Sequence, residues 1–430
     1  MSKILSYVWE PKVPRSSNVI TALLNFCACV TSATAGYDGS MINGLNILPS
    51  YYDYFHINTV TQSLSTSALY IGSVLAGISY SRVTDILGRR AALLWAAVIT
   101  VVFVIIQTCS VNIAMFTVAR VFVGYGNAAS TIAAPAYLAE TLPFKWRGLV
   151  AAGVTYGTAN WQSTWSWRLP SLFQLIFSVL CIIILFLMPE SPRWLVHELR
   201  NEEALRVIAQ TCANGDDQDP IAIVTYREVV ETMEWERNCG ETLAVTQMVK
   251  TPSARRRILL VISCALGTVI VGNQVVSYYR GTMLTNAGIT DTTTQIQINI
   301  ILNSFCLICA ILGTLSADKI GRHPVALVST TLLTLFLFFM GALTKLYGNS
   351  GNKSGVYGTV ACIFLFMGSY LYGWTLLCYL YPPEVLNYPI RANGLGGNTI
   401  GIYGFGLMMV FAMPFILESL DWKIYIINTS

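Results

Sequence analysis

Charge is what this chain has least of. Asp, Glu, Lys and Arg together make up 11% of its 430 residues, while 54% are hydrophobic; an ordinary soluble domain carries about 25% charged residues. That leaves too little polar surface for a water-soluble enzyme, and no nucleic acid is expected as a partner. Histidine is equally sparse: His56, His197 and His323 lie far apart and suggest no metal cluster. Eleven cysteines are present, mostly scattered through apolar stretches where they act as small apolar side chains. Cys306 and Cys309 have CxxC spacing but sit one turn apart in an apolar run with no second pair. No nucleophile–base pair, phosphate loop or metal set is visible, so neither an enzyme nor a cofactor is expected.

What the chain does have is apolar blocks close to the ~20 residues that cross ~30 Å of hydrocarbon. They fall at 20–45, 63–82, 91–109, 112–138, 169–188, 257–284, 296–316, 324–345, 356–380 and 392–417. Open sheet edges go unsatisfied in lipid, and barrel strands would be short and alternating, so these blocks read as helices of a polytopic all-α membrane protein. Arg89, Arg90, Lys145, Arg147, Arg193, Arg255, Arg256, Arg257, Lys319, Arg322 and Arg391 occupy alternate connections. The opposite connections carry Asp53, His56 and Asp291 and almost no base. The positive-inside bias makes the basic connections and the N-terminus cytoplasmic; the plasma membrane is the expected location, which the bias itself does not choose. The first 17 residues are too polar for a signal peptide, so the first span itself must target the chain.

Two charges stand alone. Asp38 is the only Asp, Glu, Lys, Arg or His between Asn18 and Leu48, and Arg120 the only one between Val111 and Leu138. A charge deep in an apolar span is costly, and such residues usually face a bundle interior or a water-filled path. At ~1.5 Å per residue, Asp38 lies about 30 Å along the first span, and Arg120 roughly 13 Å below the outer end of the fourth. Both belong to the outer half of the bilayer at compatible depths. Asp38 then either exchanges a proton and releases Arg120, holds a fixed structural ion pair, or simply sits near the aqueous mouth.

The polar stretch from Glu190 to Arg257 divides the chain, and the halves on either side repeat. Asp85-x-x-Gly88-Arg89-Arg90 recurs as Asp318-x-x-Gly321-Arg322-His323, and Tyr137-x-x-Glu140 with Arg147 recurs as Tyr381-x-x-Glu384 with Arg391. The offsets are 233 and 244 residues. Parallel repeats about an axis normal to the membrane build one large class of secondary transporters. Three parts are expected: a bundle over 1–188, a cytoplasmic loop over 189–256 and a second bundle over 257–430. In the loop, Ala204, Leu205 and Ile208, then Tyr226, Val229, Val230 and Met233, fall at helical spacing and predict short amphipathic helices.

Together with Pro189-Glu190-Ser191-Pro192-Arg193-Trp194 and the segment Gly36–Gly44, these motifs resemble the sugar porter family of the major facilitator superfamily, in its fungal lactose permease-like and hexose branch. The resemblance runs from about residue 18 to the last residues. It implies a two-bundle fold, alternating access, and uptake of a small neutral sugar, a mono- or disaccharide, with a proton, by a monomer in the bilayer. Asp38 and Arg120 match the acid and arginine of proton-coupled members. Charged helix ends on one face can latch two halves together, and the resemblance puts Asp85, Arg89, Glu140, Arg147, Glu190, Arg193, Asp318, Arg322, Glu384 and Arg391 in that gate.

Sugars need amides, hydroxyls and an aromatic face, and the candidates are Asn273, Gln274, Tyr278, Tyr279, Asn299, Asn303, Trp374, Tyr379 and Asn398. The chain departs from the family where Thr268 and Val269 replace a glutamine pair, near Ile402, and at Arg280, whose long stem can snorkel to the interface. These departures keep open a facilitator, or a permease for another small molecule such as a fungal metabolite. Between Gly148 and Trp165 only 16 residues remain, reaching about 24 Å. The fifth helix is therefore expected to be stunted; against the family the twelfth is expected to be missing, since the sequence stops at Trp422-Lys423-Ile424-Tyr425 where that span would start, and both keep open a truncated product that does not transport.

Overall fold

The computed structural model describes residues 14, 16–138, 165–238, 251–286, 288–289, 291–347, 353–386 and 388–420. Those residues form helices and connections, with no strand among them. The expected stunted fifth and missing twelfth helices fall on 139–164 and 421–430, outside the described residues.

The first half comprises α1 (Ser17–Leu45), α2 (Pro49–Phe55), α3 (Thr59–Leu87), α4 (Arg89–Thr108), α5 (Ile113–Leu138) and α6 (Trp165–Phe186). A polar segment follows, with α7 (Pro192–His197), α8 (Asn201–Cys212) and α9 (Pro220–Asn238). The second half holds α10 (Pro252–Ile270), α11 (Asn273–Tyr278), α12 (Arg280–Asn286), α13 (Thr292–Ile320), α14 (Arg322–Tyr347), α15 (Lys353–Tyr372), α16 (Trp374–Val385) and α17 (Tyr388–Leu420).

Local chemistry sets the helix ends. Asn58 and Thr61 form a reciprocal capping box at the start of α3, with Thr61 N–H donating to Asn58 Oδ1 at 2.9 Å. Pro49, Pro192 and Pro252 open α2, α7 and α10 at first-turn positions that need no N–H. The two Asp-x-x-Gly-Arg motifs fold alike. Gly88 (φ 89°) and Gly321 (φ 94°) occupy the left-handed region, turning α3 into α4 and α13 into α14, a conformation glycine adopts freely.

Two of the expected spans are broken. The block at 257–284 divides at Gly272 (φ 85°) and again after Tyr278 into α10, α11 and α12, and the block at 356–380 divides at Gly373 into α15 and α16. Hydropathy averages over such breaks and does not see them.

Five described stretches are both long and apolar enough to cross a bilayer: Arg89–Thr108, Thr293–Ala310, Arg322–Tyr347, Ser354–Tyr372 and Asn393–Ile416. Ser171–Phe186 is a shorter apolar helix. α1, α3 and α5 are 29, 29 and 26 residues long and carry much of the buried polar chemistry.

Within the first half α5 packs against α3 and α4, and α6 against α1 and α4. α3 and α5 touch backbone to backbone, since a Cβ on Gly72 would run into the Val121 carbonyl and one on Gly124 into the Leu69 carbonyl. The halves meet where α17 lies along α3 and α5, and where α11 meets α1. α8 and α9 are amphipathic as expected: Tyr226, Val229, Val230 and Met233 pack onto Leu195, Val196 and Ala204. They dock beneath α1, where Ser17 N–H donates to Asn214 Oδ1 at 2.9 Å.

Candidate transport site

Asp38 on α1 and Arg120 on α5 meet. Arg120 Nη1 lies 3.3 Å from Asp38 Oδ1, and both side chains are fully buried. Arg120 Nε donates to the Ser65 carbonyl of α3 at 3.1 Å, so the guanidinium bridges three helices. Asp38 Oδ2 and Arg120 Nη2 are buried without a hydrogen-bond partner among the described residues. Gln174 of α6 sits beside the Asp38 carboxyl, its amide atoms falling short of full hydrogen-bond geometry among the described residues. The desolvation cost of a buried ion pair is offset only when good geometry is joined by further hydrogen bonds to its remaining atoms.

An aromatic roof covers the pair on the side away from the loop helices. α2 brings Tyr51 and Phe55 over Phe116, with ring centroids 5.6 Å and 5.5 Å from it. Tyr51 lies within the electrostatic reach of Arg120, whose guanidinium carbon is 6.0 Å from the Phe116 centroid. In this conformation the pair is sealed from that side. Gln174, Tyr51 and Phe116 escaped the sequence reading. Gln174 left a signal, a lone amide inside an otherwise apolar run, whereas the two aromatic residues look like ordinary core.

In the second half, Asn299 and Asn303 on α13 come together, Asn303 Nδ2 donating to Asn299 Oδ1 at 3.2 Å. Arg280 Nη1 donates to the same oxygen, and Arg280 Nε reaches the Val276 carbonyl at 3.3 Å. Arg280 is 4% exposed. The expected snorkel toward the interface is therefore wrong: the stem folds back across α11 toward α13, because amide acceptors lie there.

Tyr279 is sealed in the core, its hydroxyl donating to the Val410 carbonyl at 2.7 Å. Asn273 accepts from Ser277 at 3.2 Å. Trp374 donates its indole N–H to Thr330 at 3.0 Å and lays its ring across Gly267. Asn398 is buried with Oδ1 unpartnered among the described residues. Thr268 and Val269 are buried, with Thr268 Oγ1 donating back to the Cys264 carbonyl. The side chains of Gln274, Tyr278 and Tyr379 are outside the described set.

Of the gate residues, Asp85 and Arg89 pair at 3.3 Å across the Gly88 turn. Glu190 Oε1 accepts the backbone N–H of Arg90 and of Ser191, each at 2.9 Å. Trp194 Nε1 donates to the Asp85 carbonyl at 3.0 Å, tying α7 to the same turn. Arg193 is exposed and Arg322 half-buried. Glu140 and Arg147, and the side chains of Asp318, Glu384 and Arg391, lie outside the described residues.

The repeated glycine turns, the two packed helical halves and the charged pair buried in the first of them are the features of a polytopic helical membrane protein. The family model for "Sugar (and other) transporter" matches residues 24–430, so the chain belongs to the sugar porter family of the major facilitator superfamily. The MFS-type transporter oryC of Aspergillus oryzae is 27% identical over 94% of this chain and 79% of its own length. The MFS glucose transporter mfs1 of Aspergillus flavus is 26% identical over 91% and 81%. Among solved structures, the xylose transporter XylE from E. coli, in a partially occluded inward open conformation, superposes with a TM-score of 0.78 at 18% identity. That match covers 96% of this chain and 95% of XylE. A second XylE structure, described as a proton:xylose symporter bound to 6-bromo-6-deoxy-D-glucose, matches with the same TM-score.

Proposed function

We propose that this chain takes up a mono- or disaccharide together with a proton by alternating access, with its loop helices and N-terminus in the cytoplasm. The observation that carries the reading is the fully buried, incompletely satisfied Asp38–Arg120 pair at 3.3 Å. Protonation of Asp38 from outside removes the negative charge that holds Arg120 and lets α1 and α5 shift relative to one another. Release of the proton inside restores the pair and resets the carrier. The solved symporter of the same fold is consistent with this scheme, as is a glucose transporter among the relatives. The gate residues at the loop-helix side then close the cytoplasmic path in the opposite half of the cycle.

The test is uptake of labelled mono- and disaccharides by vesicles containing the purified chain, under an imposed pH gradient. Accumulation above the outside concentration, its collapse on adding a proton ionophore, and its loss in Asp38→Asn with exchange retained are the expected results. Uptake that ignores the ionophore, or accumulation that survives Asp38→Asn, removes the coupling. What then remains is the second reading, a facilitator with a static pair, favoured by the Ser65 carbonyl that holds Arg120 independently of Asp38.

A further inference from the structure

The segment carrying Asp38 has a counterpart in the second half. Tyr37-Asp38-Gly39-Ser40-Met41 recurs as Tyr279-Arg280-Gly281-Thr282-Met283, 242 residues further on. That offset lies between the 233 and 244 of the other repeated motifs, so Arg280 occupies the position related to Asp38 by the internal repeat, with the sign of the charge inverted. Val121-Phe122-Val123-Gly124 likewise recurs as Leu365-Phe366-Met367-Gly368 at 244, which places Phe364 at the position of Arg120. The first half thus sets a cation opposite its acid. The second half has a cation, and a phenylalanine where the complementary charge would be.

The surroundings of Arg280 bear this out. Its hydrogen-bond partners among the described residues are neutral, the Asn299 amide oxygen and the Val276 carbonyl. The ionisable neighbour acting on it is the Cys306 thiol. No carboxylate lies within ion-pair distance of it among the described residues. A guanidinium 96% removed from solvent and lacking an anion is costly to maintain in a membrane. Its planar fork of donors is matched by a carboxylate, which accepts two of them at once. The place is also right for cargo: Arg280 follows closely on α11, which packs against both α1 and α17 at the seam between the halves, and a Cβ on the adjacent Gly281 would meet Ile47 of the first half.

We infer that the cargo is a polyol bearing a carboxylate, a sugar acid, whose anionic group is received by Arg280 with Asn299 and Asn303 beside it. This rests on the carrier reading above and narrows its substrate class. It also fixes the charge balance: a carboxylate moving with one proton carries no net charge, whereas a neutral sugar moving with a proton carries one positive charge inward.

D-glucuronate and D-glucose are the probes, compared on the full chain, on Arg280→Gln and on Arg280→Lys, with ligand-free melting temperatures reporting whether each variant folds. Glucuronate is expected to raise the melting temperature of the wild type in detergent more than glucose does. Its affinity should fall about tenfold or more in Arg280→Gln, the size of one lost charge-assisted contact, and less in Arg280→Lys. Glucuronate uptake driven by a pH gradient should be unaffected by an imposed membrane potential. Absence of any glucuronate effect on the wild type overturns the inference, as does an effect undiminished in Arg280→Gln or one matched by chloride alone. Glucuronate uptake that needs Arg280 yet ignores a proton ionophore supports the inference while removing the Asp38 coupling, so the two failures are told apart.

Discussion

Glu190 accepts the backbone N–H of Arg90, a residue one hundred positions earlier, at 2.9 Å, and so caps the first turn of α4 from the connection between α6 and α7. Burial pushes the Glu190 carboxyl above its ordinary value, while the N–H donors of Arg90 and Ser191 pull it back. A carboxyl raised in the folded state binds more protons folded than unfolded, so its contribution to stability is full at low pH and is lost as pH rises through the folded value. Glu190→Gln should therefore match or exceed the wild type in melting temperature at neutral pH. The wild type should gain on it as pH falls toward the ordinary carboxylate range. Glu190→Ala, which leaves the Arg90 N–H without this acceptor, should lose about 1–3 kcal/mol. A wild-type minus Glu190→Gln difference that stays flat with pH removes the assignment.

Removing one member of the Asp38–Arg120 pair leaves an uncompensated charge at a site with no exposure. Arg120→Leu should cost about 3–5 kcal/mol, whereas Asp38→Leu with Arg120→Leu should recover most of that loss. Thermal unfolding of the singles and the double in detergent measures the coupling. If the double falls by the sum of the singles, the two groups do not depend on each other.

Much of this architecture could be read from apolar block length alone, because lipid forces a helix wherever some twenty apolar residues run together. The depth argument brought Asp38 and Arg120 together because two long helices crossing one bilayer must pass residues of equal rise at equal height. The second half resisted the same treatment. Its first block divides at Gly272 and again after Tyr278, so counting rise from Pro252 misplaces Arg280, and the snorkel expected of it does not occur. The Tyr-Gly-Met echo that flags Arg280 was present in the sequence but hidden by the inverted charge. Glu190 was expected in a charged gate; its added contact with a backbone N–H was not legible, because it depends on the Gly88 turn, where a Cβ would stand 2.8 Å from the Glu190 carboxylate.

The contact between α3 and α5 needs two residues without side chains. A Cβ at Gly124 would enter the Leu69 carbonyl, and that backbone lies on a rigid helix that cannot yield as a side-chain tip can. Gly124→Val should therefore separate the helices and sharply reduce the yield of monodisperse protein on size exclusion. Leu75→Val, on a side chain 50% exposed along the same helix as Leu69, should leave the profile unchanged. Equal profiles would show that the two helices tolerate a wider spacing.

Access to Asp38 from the side away from the loop helices is blocked by Tyr51, Phe55 and Phe116, whose rings lie within 5.6 Å of one another. If a proton reaches Asp38 by displacement of α2, then thinning this roof should speed chemistry at the carboxyl. A hydrophobic carbodiimide, which modifies protonated carboxyls, provides the readout by mass spectrometry of the Asp38 peptide. Phe116→Ala should raise the rate of modification while costing about 3–5 kcal/mol of stability, the usual loss for a buried phenylalanine. Phe103→Ala, on a ring stacked against Phe122 at 4.2 Å and remote from the roof, controls for general loosening and should leave the rate as it is. Equal rates in the wild type and Phe116→Ala would mean that protons reach Asp38 by some path other than the roof, and α2 would then have no part in gating it.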